Sequence, residues 1–115
     1  MYTLFGIKNC DKVKKAIAFL NERHVDYTFH DYKKSCVTKE KLQEWIKQVS
    51  WENLVNKQGT TWKMLDKNLQ AQVTDAKSAI ALMIEKTSVI KRPLLEKDGK
   101  IIALGLEEVK NLKYS

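Results

Sequence analysis

Cys10 stands where a strand should hand over to a helix, and that placement is what could give its sulfur chemistry. Residues 2–7 are rich in β-branched and aromatic side chains, and Gly6 relaxes the backbone near the end of the run. Beyond Cys10 the apolar residues Val13, Ala16, Ile17 and Leu20 fall at the i, i+3, i+4, i+7 spacing of one helix face. The spacing therefore puts Cys10 at a helix N-terminus, where the unpaired N–H groups of the first turn and the positive end of the macrodipole favour an anion. A thiolate is such an anion, and a cysteine so placed has its pKa lowered from about 8.5 toward neutrality. Lys8 and Lys12 act in the same direction, while Asp11 opposes them. The plainer alternative is a small buried hydrophobe closing the strand–helix junction, and spacing alone leaves both readings open.

Other residues with possible chemistry give weaker signals. His24 and His30 fall at the ends of the expected elements, and neither has metal-ligand spacing to a cysteine or a carboxylate pair, so both read as structural and no metal site is expected. Cys36 lies in the polar stretch KKSCVTK and reads as an incidental loop thiol, although a disulfide with Cys10 is chemically open to it.

The elements that must position these groups follow from composition and pattern. A chain of 115 residues, 43% of them hydrophobic, suits a single domain with a real core. Two cysteines, no apolar run long enough to span a bilayer and an N-terminal segment that runs straight into a strand point to a cytoplasmic protein with reduced thiols and no membrane partner. The 21 Lys and Arg outnumber the 14 Asp and Glu, for a net charge of +7, which favours anionic partners. These basic residues are spread along the chain instead of forming a run, so a solvated surface attracting small anions is expected in preference to a nucleic-acid interface.

In chain order, a first helix is predicted over 11–23 and a second strand over 27–32, together a βαβ unit with a right-handed crossover. From Thr38, a plausible N-cap, residues 38–86 read as an all-helical insertion. Leu42, Trp45, Ile46 and Val49 lie on one face, short helices over 51–56 and 61–65 flank a turn at Gln58-Gly59, and Thr74 caps a helix carrying Ala76, Ala79, Ile80 and Met83 inward. Gly59 is expected at positive φ, and Trp45, Trp51 and Trp62 are assigned to the seam between the helical block and the sheet. Next, 94–96 and 101–104 flank Asp98-Gly99, the dipeptide preferred in two-residue type I′ hairpins. Pro93, the one proline, marks the entry to the hairpin and can be cis, and 107–112 closes the chain as a helix.

The order β-α-β, helical block, β-β-α predicts an α/β thioredoxin-like fold with a mixed four-stranded sheet. The segments GIKNCDKVKKA, DYTFHDY, GTTW and IKRPLL, in this order over nearly the whole chain, resemble the arsenate-reductase-like (ArsC/Spx) family and its small YffB-type members most closely. The resemblance implies a catalytic thiol at Cys10 above the first helix, with Arg92 and a cis Pro93 across the site. It also implies substrate contacts from Lys8, Asn9, Arg92 and Pro93. An arginine there offers a fork of donors suited to an oxyanion or a glutathione carboxylate.

The departures from the family pattern are as informative. Arsenate reductases of the family use three arginines, whereas this chain keeps Arg92 alone, with Asn56, Lys57 and Gln58 near the second position and Gly105 near the third. Two lost oxyanion clamps argue against arsenate as the natural substrate. There is also no Cys-x-x-Cys, because Val13 stands where the second cysteine would be. Regeneration from outside is then expected, by glutathione as co-substrate and a glutaredoxin as partner. The resulting expectation is a glutathione-linked reductase of a small anionic or thiol/disulfide substrate, with no bound cofactor. Two alternatives are an Spx-like regulator that binds RNA polymerase and a family member that keeps the fold without activity.

Overall fold

The computed structural model describes residues 1–114. Its contacts gather into two compact units, one formed by residues 1–35 and 92–114, the other by 36–91.

The first unit is built on β1 (Tyr2–Gly6), α1 (Asp11–Glu22), β2 (Tyr27–Asp31), the single turn α2 (Tyr32–Ser35), β3 (Leu94–Lys97), β4 (Lys100–Leu104) and α8 (Leu106–Asn111). The second unit comes between α2 and β3 in the chain. The four strands form a mixed sheet in the order β2-β1-β3-β4. β1 runs parallel to β2 with Tyr2 opposite Tyr27, and antiparallel to β3 with Tyr2 opposite Lys97. β3 and β4 form the hairpin, with a register shift between Leu95 and Glu96. At its turn Asp98 and Gly99 both take positive φ, 51° and 85°, as a type I′ turn requires. This is the α/β thioredoxin-like architecture that the element order predicts.

Strand alternation sorts the side chains of this unit. Tyr2, Leu4, Leu95 and Ala103 join Ala16 and Leu20 of α1 and Val109 of α8 in one buried cluster. On the opposite face of β1 the Phe5 ring lies 4.8 Å from His30 and 6.3 Å from the stacked ring of Tyr32. The expected second strand stops one residue early. The Asp31 carboxylate accepts from Lys33 N at 2.9 Å, a local bond that turns the chain into α2, so Tyr32 begins a helical turn instead of ending the strand.

The second unit consists of α3 (Lys39–Ile46), α4 (Trp51–Leu54), α5 (Thr60–Lys63), α6 (Lys67–Gln72), α7 (Ala76–Glu85) and a 3-10 turn (Thr87–Val89). Thr38 caps α3 through a bond from Lys41 N, whereas α7 is capped by Asp75 and not by Thr74. The Asp75 carboxylate accepts from Ser78 N while the Ser78 hydroxyl accepts from Asp75 N, a reciprocal box that Thr74 could not form from one residue earlier. Gly59 has φ of −81°, not the expected positive value. Its role is spatial, since a Cβ there would lie 2.9 Å from the Asn56 amide nitrogen. Trp45 is fully buried, and Lys57 Nζ sits 5.5 Å from the ring centres of both Trp51 and Trp62. Among the described residues no helix is long and apolar enough to cross a membrane.

Candidate active site around Cys10

β1 ends at Gly6, and the chain turns through Ile7, Lys8 and Asn9, with Cys10 N donating to Ile7 O at 3.0 Å. That tight reversal makes Cys10 the N-cap residue of α1, with extended backbone at φ −86° and ψ 127°, while its carbonyl accepts the first helical bond from Lys14 N. The helix follows because Val13, Ala16 and Leu20 are buried on one face and Lys12, Lys14 and Lys15 remain exposed on the other.

The Cys10 sulfur is partly exposed and its thiol is held below the ordinary range. Burial pushes it up, but more weakly than the combined opposition of the Val13 N–H, a side-chain hydrogen bond from Arg92, the Lys12 N–H and the Arg92 charge. The first-turn N–H groups of Lys12 and Val13 favour the ionised sulfur over the neutral thiol.

Arg92 reaches the site from the segment leading into β3. The Arg92–Pro93 peptide is cis, Pro93 is buried, and Gly105 N donates to Pro93 O at 2.7 Å. Arg92 acts on the Cys10 sulfur both as a side-chain donor and as a charge. Lys8 and Asn9 lie in the exposed turn immediately before the cysteine. Both cysteines are thiols, and Cys36 is exposed, in left-handed backbone at φ 57°.

Two buried polar residues of this unit escape the sequence reading. Tyr32 is 1% exposed, and burial pushes its phenol far above the ordinary value, with Arg92 pulling it down and Glu96 pushing it further up. Glu96 is itself buried at 5% exposure on β3. The available signal was alternation, since Glu96 shares a strand face with Leu94 and so points where an apolar residue would be expected. The Arg92 guanidinium therefore acts on both the partly exposed Cys10 sulfur and the buried Tyr32 phenol, and the Tyr32 phenol also feels Glu96. Such a site can stabilise a thiolate and offer a cation to an anionic group entering beside it.

Residues 5–112 match the model of the ArsC family. An uncharacterized protein of Haemophilus influenzae is 37% identical over 108 residues, spanning 94% of this chain and 93% of that protein. The solved structure of a YffB protein is similar at a TM-score of 0.86 and 41% identity, covering 94% of this chain and 93% of that one. The solution structure of an arsenate reductase (ArsC) related protein from Brucella melitensis is 47% identical at a TM-score of 0.73, covering 87% of this chain and 82% of its own.

Proposed function

Because the chain belongs to the ArsC family, we propose that it is a thiol oxidoreductase linked to glutathione and glutaredoxin, with Cys10 as its nucleophile. The observation that carries this reading is the lowered thiol of Cys10, with Arg92 and the first-turn N–H groups among its causes. A thiolate, not a thiol, attacks disulfide sulfur.

The cycle starts from a mixed disulfide between substrate and glutathione and is closed by one further thiol, from glutathione or glutaredoxin. The Cys10 thiolate attacks the glutathione sulfur of a mixed disulfide, the substrate's sulfur leaves as a thiolate and takes a proton from water, and a Cys10–glutathione disulfide remains. A second glutathione thiolate, or a glutaredoxin thiolate, attacks the glutathione sulfur of that adduct. Cys10 leaves as thiolate, and oxidised glutathione or glutathionylated glutaredoxin is formed. Arg92 contributes in both halves by favouring the anionic sulfur. Its fork of donors also holds a carboxylate of the incoming tripeptide. Lys8 and Asn9 supply a cation and an amide at the exposed edge, and Pro93 fixes the backbone beside Arg92. With one arginine in place of three, a mixed disulfide suits the site better than arsenate. The cycle needs no resident metal or cofactor, and a cytoplasmic setting supplies reduced glutathione.

The test is mass spectrometry of the full chain in a Cys36→Ser background after exposure to oxidised glutathione. One glutathione adduct per chain is expected, removed by reduced glutathione and absent from Cys10→Ser protein with an unchanged circular dichroism spectrum. A Cys10 that takes up no glutathione overturns the reading. Side-by-side assays with a mixed disulfide and arsenate should show turnover of the first.

A further inference from the structure

Taken as an isolated helix, α1 carries its lysines at the wrong end. Lys12, Lys14 and Lys15 stand at its start, and its last turn holds no basic residue. The macrodipole favours cations at the C-terminus and disfavours them at the start. Lys12 and Lys15, three residues apart, also repel one another across one turn. All three are exposed, as is Lys8 in the turn before Cys10, and none of the four is in an ion pair among the described residues. The charge that lowers the Cys10 thiol is that of Arg92, so stabilising the sulfur does not account for these lysines.

We propose that this lysine surface docks an acidic protein segment whose glutathionylated cysteine is the mixed disulfide that Cys10 attacks. Cys10 acts here as the nucleophile of the cycle above, on which this assignment rests. The substrate narrows from any mixed disulfide to one set among aspartates and glutamates.

The dimensions suit an extended segment. At 1.5 Å of rise per residue, Lys15 lies about 7.5 Å along the axis from Cys10, a distance covered by about two residues of extended chain. Beyond Lys15 the surface continues into a hollow of about 260 Å³ formed by α1 and α8 and lined by Lys15, Ala18, Phe19, Glu22 and Lys110. Lys110 adds a cation that is likewise in no ion pair among the described residues. Against these lysines stand Asp11 at the start of α1 and Glu22 at its end. The balance along the surface is therefore positive, and it favours an anionic chain.

An acidic substrate also gains chemically. Carboxylates beside a cysteine raise the pKa of its thiol, and a leaving thiol of high pKa departs slowly. Lysines near the departing sulfur offset that handicap. In the step itself the substrate–glutathione S–S bond breaks and the Cys10–glutathione bond forms. The substrate sulfur leaves as a thiolate and takes a proton from water.

The test uses Cys36→Ser protein and the glutathione mixed disulfides of short peptides in which a central cysteine is flanked by aspartates, by serines or by lysines. Peptide release is timed, and each rate is divided by that of the same disulfide with mercaptoethanol, which removes intrinsic reactivity. In low salt the aspartate peptide should react about tenfold or more faster than the serine peptide, and the lysine peptide more slowly. In about 1 M salt, where the Debye length is about 3 Å, the difference should shrink to about twofold or less. Lys12→Gln/Lys14→Gln/Lys15→Gln protein should lose most of the aspartate-to-serine ratio. Equal rates in low salt overturn the docking surface and leave Cys10 as nucleophile, whereas failure of every peptide to glutathionylate Cys10 overturns both. An undiminished ratio in the triple variant also overturns the docking surface.

Discussion

Gly6 and Val13 approach so closely that a Cβ on the glycine would lie 2.6 Å from Val13 Cγ2. The end of β1 is thereby pressed against the first turn of α1, the turn whose N–H groups favour an anionic Cys10 sulfur. The glycine is needed here for space, since its φ is not among the positive ones.

Gly6→Ala should therefore destabilise the protein by about 1–3 kcal/mol through overpacking. Adding Val13→Ala removes the offending methyls, so the double variant should lose less than the sum of the two single losses. Denaturant unfolding of the four proteins checks this coupling. Additivity would show that the two residues do not constrain one another.

Gly99 tests a different cost. Nothing lies within 4 Å of a Cβ built there, but its φ is 85°. Gly99→Ala should lose about 1–2 kcal/mol from the left-handed backbone alone, and Gly99→Asn less, because asparagine tolerates that region better. Denaturation midpoints at an unchanged m-value provide the measurement.

Lys57 stands 5.5 Å from the ring centres of both Trp51 and Trp62. Lys57→Gln should cost about 0.5–1 kcal/mol for each contact and alter tryptophan emission. Unfolding followed by fluorescence reads both effects at once.

The pH dependence of stability has a definite sign. A Cys10 thiol lowered in the folded state binds fewer protons there than in the unfolded chain at pH values between its folded pKa and the ordinary thiol value. Stability over Cys10→Ser protein should rise with pH through that window, reach a plateau above it, and disappear as pH falls below the folded pKa. Paired unfolding curves across the window measure it.

Much of this architecture can be read from short-range signals. The apolar repeat from Val13 to Leu20 defines α1, and Asp98-Gly99 can form few structures other than the tight hairpin it makes. Signals carried by side-chain bonds are harder to see. Thr74 and Asp75 are both capping types, and only the reciprocal bonds with Ser78 select the second. Helix α6 has no buried residue, so its hydrophobic pattern is faint, and its start is set by Asp66 accepting from Asn68 N. Tyr32 continues the alternation of β2 but is drawn into a helical turn by the Asp31 side chain. The nearness of Arg92 to Cys10 comes from sheet topology, which brings the entry to β3 alongside the exit of β1, and no local spacing encodes it. A resemblance can suggest that pairing where periodicity cannot. Burial of Glu96 likewise depends on which face of the sheet is covered.

Arg92 and the first-turn N–H groups of α1 hold the Cys10 thiol below its ordinary range against the opposing effect of burial. The most direct measurement is the rate of iodoacetamide alkylation against pH for Cys36→Ser protein with and without Arg92→Gln. The wild-type site should titrate below the ordinary thiol range of about 8.5, and the Arg92 variant should titrate higher. Coincident curves at the ordinary value would contradict the account.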